Sequence, residues 1–220
     1  MMDENEKAIE AISNGNFEEA LELLNTAIEK DPQDPVAYIN FGNILAEVGE
    51  SERAISFYQK AIEIDEKAAA AYYGAGNVLF NEEKFGEALK MYQDAHQAGL
   101  DDGSLHYMMG LSNFQTEKTG HALACFQRAL EWDETDIEAR FYYGLCLAQT
   151  EQLDEAIRQL KQVVEEDDNH ADAYYNLGVA SMMNEGLEEA IQYFDKAVEA
   201  QPDHMLALNG KEQARKMLEE

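Results

Sequence analysis

Only two cysteines, Cys125 and Cys146, occur in 220 residues. Two are too few for a disulfide framework and fit a reducing compartment, so a cytoplasmic protein is expected. Three prolines and fourteen glycines exclude collagen-like, linker and low-complexity chains. No apolar run approaches the roughly 18 residues that a membrane span requires. The opening "MMDENEKAIE" is acidic and polar and lacks the basic and apolar regions of a signal peptide. Basic side chains are scarce: 16 Lys and Arg stand against 45 Asp and Glu, a net charge of −29. Such a surface repels phosphate backbones and anionic lipid. Nucleic acid and membrane are therefore not expected partners, whereas neutral or basic proteins are. No stretch alternates in the manner of a strand.

Groups that converge on chemistry are equally scarce. His96, His106, His121, His170 and His204 show no metal-ligand spacing with another His or Cys on one helix turn. His170 and His204 are expected in solvated turns before helices, and His106 as a half-buried packing residue. The acidic stretches "DETD", "LDDGS" and "EEDDNH" lack the ligand alternation of a calcium loop and read as turns and helix caps. There is no phosphate-cradling glycine loop and no nucleophile elbow. No catalytic residue, metal or cofactor is expected, and Cys125 and Cys146 are free to approach one another across neighbouring segments.

What is abundant is repetition. "AAAYYGAGNV" at 69–78 returns as "ADAYYNLGVA" at 171–180, three times 34 residues later. Glycine stands at 42, 76, 110, 144 and 178, and alanine at 20, 54, 88, 122, 156 and 190, each series stepping by 34. A third series runs Ala27, Ala61, Ala95, Ala129, Val163, Ala197. Within a unit, Tyr38, Phe41, Gly42 and Leu45 make one helical stripe, and Ala54, Tyr58 and Ala61 a second. Asp34 and Pro35 mark a helix start, Gly49 a stop, and Ser51 the cap of the next helix. The small residues leave room where helices approach closely. Glu18, Glu19, Glu52, Glu87, Asp154, Glu155, Glu188 and Glu189 fall in the first turns of second helices, where they favour the helix dipole.

The pattern Tyr38-Phe41-Gly42-Leu45-Ala54-Tyr58-Ala61, repeated at Tyr72-Ala75-Gly76-Leu79-Ala88-Tyr92-Ala95 and at Tyr174-Leu177-Gly178-Ala190-Phe194-Ala197-Pro202, resembles the tetratricopeptide repeat family. The whole chain is similar to small bacterial proteins built only of such units. The resemblance implies an all-α fold, a right-handed superhelix (α-solenoid) of six helix–turn–helix repeats with a C-terminal capping helix. It implies one domain over 1–220, with repeats 1–34, 35–68, 69–102, 103–136, 137–170 and 171–204 and a capping helix over 205–218. The departures are Arg140 and His106 at a large apolar position, and Ser181 and Asn113 at core positions.

In that family the first helices line a concave groove, and ligand contacts come from the stripe beside the core. Here that stripe is uncharged despite the charge of −29. It comprises Ile39, Asn40 and Asn43; Tyr73, Asn77 and Phe80; Tyr107, Met108 and Phe114; Phe141, Tyr142 and Leu145; and Tyr175, Asn176 and Met182. Charges stand at its rims, at Glu47, Glu138 and Asp172. Tyr offers apolar area with a hydroxyl, Met adapts to varied shapes, and Asn pairs with peptide backbone. The stripe points to a non-enzymatic adaptor or scaffold that binds a peptide or helical segment of one or more proteins. The alternative is self-association, a homo-oligomer through the groove face. Tyr, Asn, Val, Gly and Leu occupy the places where some relatives carry Lys and Arg to clamp an acidic tail, which disfavours that ligand class.

Overall fold

The computed structural model describes residues 3–219 and divides into two compact units, Met1–Asp101 and Asp102–Glu220. Among the described residues all regular structure is helical, in thirteen helices. The first unit holds α1 (Glu4–Ser13), α2 (Phe17–Lys30), α3 (Pro35–Glu47), α4 (Ser51–Ile64), α5 (Ala69–Asn81) and α6 (Phe85–Gln97). The second holds α7 (Gly103–Gln115), α8 (Thr119–Trp132), α9 (Ile137–Gln149), α10 (Leu153–Glu166), α11 (Ala171–Met183), α12 (Leu187–Ala200) and α13 (Met205–Glu219). Successive helices pair as hairpins, and within each unit the hairpins stack. From α3 onward each first helix begins 34 residues after the last, at 35, 69, 103, 137, 171 and 205.

The starts follow from local chemistry. Asp34 Oδ1 accepts the Val36 N–H at 2.9 Å, with Pro35 at the first helical position. Asp102 and Asp136 cap α7 and α9 through Leu105 and Ala139, at 2.8 and 2.9 Å. Histidine does the same for α11 and α13: His170 Nδ1 and His204 Nδ1 accept from the Ala173 and Ala207 N–H groups, each at 3.2 Å. The expectation of solvated turns fails for both. His204 is 7% exposed, and its Nε2 lies 3.1 Å from Asp172 Oδ1. His106 is buried as well. Ser51 is not a cap: it is the first residue of α4, and Glu50 occupies the cap position without a side-chain bond.

Each hairpin turns through one left-handed residue. Gly15 and Gly49 take this place at φ 76° and 80°, and Glu83, Glu117, Glu151 and Glu185 at 58–63°. The next N–H returns to the preceding helix, as in Glu50 to the Leu45 carbonyl at 2.7 Å and Gln152 to the Leu147 carbonyl at 2.9 Å. The glycine series is explained by rings. A Cβ on Gly42 would stand 2.8 Å from the Tyr58 ring, and one on Gly110 2.6 Å from the Phe126 ring. The alanine series at 20, 54, 88, 122, 156 and 190 is fully buried. In the first unit the core gathers Ala8, Leu24, Phe41, Leu45, Ala54 and Tyr58; in the second, Leu160, Val163, Leu177, Phe194 and Ala207.

Two of the departures from the repeat pattern find partners locally, while the buried Ser181 hydroxyl and Arg140 Nε have no hydrogen-bond partner among the described residues. Arg140 donates through Nη1 to Gln159 Oε1 and Gln162 Oε1, at 2.8 and 2.6 Å, and through Nη2 to the Glu134 carbonyl. Asn113 donates to the Met109 carbonyl at 2.8 Å. Glu4 pairs with Lys30 at 2.6 Å, and this ion pair holds its carboxyl below the usual range.

Candidate functional site

A cleft of about 450 Å³ opens between α3 and α5 in the first unit. Ile39, Asn43, Ala46 and Glu47 line it from α3, and Ala70, Tyr73, Gly74, Asn77, Val78 and Asn81 from α5, with Tyr58 of α4 beneath. Glu47 is the charged residue in this lining, so the cleft is neutral with an acidic rim.

Its floor is built by Tyr58. The ring is buried between two glycines, since Cβ atoms on Gly42 and Gly74 would lie 2.8 and 2.6 Å from it. Its hydroxyl donates to Asn43 Oδ1 at 2.8 Å. Tyr92 repeats the bond to Asn77 Oδ1 at 2.9 Å. Asn43 and Asn77 thus each accept from a tyrosine hydroxyl, which fixes the amide and leaves Nδ2 as a donor. Burial pushes the Tyr58 phenol up to about 12, and burial together with Tyr73 raises that of Tyr92 further. Both hydroxyls remain donors across the physiological range.

Of the sequence-predicted residues in this unit, Ile39, Asn43, Tyr73 and Asn77 come together in the cleft. Tyr73 lies half-buried with its ring 5.7 Å from that of Tyr92. Asn40 is committed elsewhere: it donates to Asn5 Oδ1 at 2.9 Å, and Asn5 donates to Asp34 Oδ2 at 3.2 Å. Phe80 lies outside the lining and packs edge-on against Phe85 at 5.1 Å. Sequence reasoning missed Asn81 and the role of Tyr58. The available signal was the pairing of Asn43 with Tyr58 and of Asn77 with Tyr92 at one spacing, one repeat apart.

In the second unit the predicted aromatics close on one another. Tyr142 stacks on Phe126 at 5.5 Å, and Phe114 and Tyr107 meet it edge-on at 5.5 and 6.3 Å. Burial raises the Tyr107 and Tyr142 phenols. Met108 is half-buried, and Leu145 and Met182 pack against the core. Asn176 turns back to donate to the Asp172 carbonyl at 2.8 Å. Tyr175 rests on His204 at 5.2 Å. Phe141 is a correction: it is 8% exposed, with its ring 4.6 Å from that of His170, and belongs to the core rather than to an open wall. The two thiols are free; burial raises both, that of Cys146 to about 12 with Cys125 contributing, so neither is poised to act as a thiolate.

The tetratricopeptide repeat profile matches residues 5–69, 107–169 and 148–204. The chain belongs to the tetratricopeptide repeat family. It is 48% identical to YrrB, whose crystal structure is described as that of a tetratricopeptide repeat protein with an unusual peptide-binding site. That match covers 86% of this chain and 97% of YrrB, with a TM-score of 0.83. Two further structures share the fold alone. The pilF protein of Pseudomonas aeruginosa is 18% identical at TM-score 0.79, covering 96% of each chain. MamA is 21% identical at 0.71, covering 76% of this chain and 92% of MamA. No curated protein matches this tetratricopeptide repeat protein in sequence. Members of the family serve protein–protein interaction, and the all-α repeat fold is an interaction scaffold. Among the described residues, no helix is long and apolar enough to cross a membrane.

Proposed function

We propose that this tetratricopeptide repeat protein is a non-catalytic adaptor that binds an extended segment of a partner protein in the α3–α5 cleft. The observation that carries the reading is the pair of amides, Asn43 and Asn77, each held from below by a tyrosine hydroxyl. Packed helices lie about 8–10 Å apart, about three residues of an extended chain. Two fixed Nδ2 donors on neighbouring helices therefore suit carbonyls of one extended strand. Tyr73 and Ile39 offer apolar contact beside them. The peptide-binding site described for YrrB, at 48% identity, supports the same reading.

The partner segment is neutral or basic, because Glu47 guards the cleft and the chain carries −29. Nucleic acid and membrane surfaces are excluded on the same electrostatic ground. Two free cysteines suit a reducing cytoplasm. The test is selection of peptides from a neutral-to-basic library, followed by calorimetric titration against Asn43→Ala, Asn77→Ala and Tyr73→Ala. Each should lose about 1–2 kcal/mol of binding; Tyr73→Ala should do so with a smaller change in folding stability, whereas the asparagine variants also strand a tyrosine hydroxyl and lose stability as well. Variants that melt early yet bind selected peptides as the parent does would remove the cleft from the function.

A further inference from the structure

Helix α13 inverts the polarity of the helices that precede it. In α3 the seventh, eighth and eleventh residues are Phe41, Gly42 and Leu45, all buried in the hairpin with α4. In α13 the same positions hold Lys211, Glu212 and Arg215. Glu212 and Arg215 are exposed, and Lys211 is tied to Asp195. This face is written for water, and α13 packs on α12 instead through Ala207, Gly210 and Ala214. Its apolar side chains stand elsewhere: Met205 is 63% exposed, Leu206 59% and Met217 50%. Met183 of α11, one repeat before Met217, is also half exposed. Of these, Leu206 and Met217 stand on one stripe of α13, which leaves that helix an exposed apolar patch in the second unit.

We propose that two copies of this chain pair through this patch, α13 against α13, antiparallel about a two-fold axis. Charge chooses the occupant. The six repeats carry −8, −3, −4, −3, −5 and −6, whereas residues 205–220 sum to zero, with Lys211, Arg215 and Lys216 against Glu212, Glu219 and Glu220. Two copies therefore repel along their repeats and meet at least cost on this helix. A basic partner, drawn to the acid elsewhere, gains nothing from a neutral apolar face. The helix is also self-complementary, as a two-fold interface requires. With the axis midway along the helix, Leu206 of one copy meets Met217 of the other, since the two stand on one stripe about 20° apart. A helix of 15 residues is about 22 Å long, so the patch falls well short of the ~800 Å² per partner of a standard interface. The dimer is consequently weak and concentration-dependent.

Sedimentation velocity from micromolar to millimolar protein tests this. A reversible monomer–dimer equilibrium is expected, and added salt should strengthen it by screening the repulsion between the acidic repeats. The neutral double variant Leu206→Gln/Met217→Gln should weaken it about tenfold or more, with the melting temperature unchanged because both side chains are exposed. Leu206→Cys/Met217→Cys should give a covalent dimer under mild oxidation, and neither single variant should. A monomer at every concentration, a glutamine variant that dimerises like the parent, weakening by salt, or single cysteines that cross-link as well as the pair would each overturn the proposal. Peptide titration of the glutamine variant keeps the two readings separate, since the α3–α5 cleft lies in the other unit.

Discussion

The Tyr58 hydroxyl donates to Asn43 Oδ1 at 2.8 Å, and one repeat later Tyr92 does the same to Asn77 at 2.9 Å. The same two places in the second unit hold Leu111 with Phe126, Leu145 with Leu160, and Val179 with Phe194. A polar pair is thus replaced as a pair by an apolar one. The fold accepts either solution, so the polar one in the first unit is available for recognition.

A double-mutant cycle separates the two roles. Asn43→Leu strands the buried Tyr58 hydroxyl and should cost about 1–3 kcal/mol of stability. Tyr58→Phe/Asn43→Leu copies the second unit's arrangement and should recover most of that loss while binding of selected peptides stays lost. Denaturant melts and peptide titration on the four proteins decide it; a double variant as unstable as the single one would mean that the pair is not the unit.

The left-handed turn residues predict stabilisation. Glu83, Glu117, Glu151 and Glu185 occupy a conformation that Gly15 and Gly49 fill without strain. Replacing any of the four glutamates by glycine should add about 0.5–1 kcal/mol, after the greater freedom of the unfolded chain is subtracted. Thermal unfolding checks this, and a destabilised Glu117→Gly would show that the side chain contributes more than the backbone loses.

Overpacking should be graded. Gly42→Ala and Gly110→Ala drive a Cβ into the rings of Tyr58 and Phe126, and should cost about 1–3 kcal/mol. Gly144→Ala meets Leu160 at 2.9 Å, a side chain with more rotamers, and should cost less. Chemical denaturation of the three variants gives the order.

High pH should loosen the first unit. The folded Tyr58 phenol titrates near 12 against 10 for an unburied tyrosine, because burial disfavours the phenolate. Its contribution is therefore complete below pH 10 and is lost as pH rises towards 12. The slope should amount to about 1–3 kcal/mol and flatten in Tyr58→Phe, as read by denaturation at fixed pH.

Removing the α13 cap should fray that helix. His204→Ala deletes the acceptor for the Ala207 N–H and the contact with Asp172, and should cost about 1 kcal/mol. His204→Asn keeps a capping side chain and should retain part of it. Amide exchange at the start of α13 is the readout.

The sequence by itself determined the period, the helix pairs and the first-helix starts, because each rests on local signals: Asp34 before Pro35, glycine facing a ring, and alanine where helices touch. It also marked Ile39, Asn43, Tyr73 and Asn77 as one uncharged stripe, since residues on one helix face follow from spacing alone. What the tertiary structure decided is which members of that stripe stay open. Phe141 and Tyr175 occupy the same repeat position and each meets a histidine, His170 and His204, yet Phe141 is buried and Tyr175 half-buried. Asn40 and Asn43 are three residues apart, but Asn5, from another helix, takes Asn40, and Tyr58 holds Asn43. Histidine as a helix cap and glutamate in a left-handed turn were not legible either. Neither residue prefers those places, and it is the packing of the finished hairpins that holds them there.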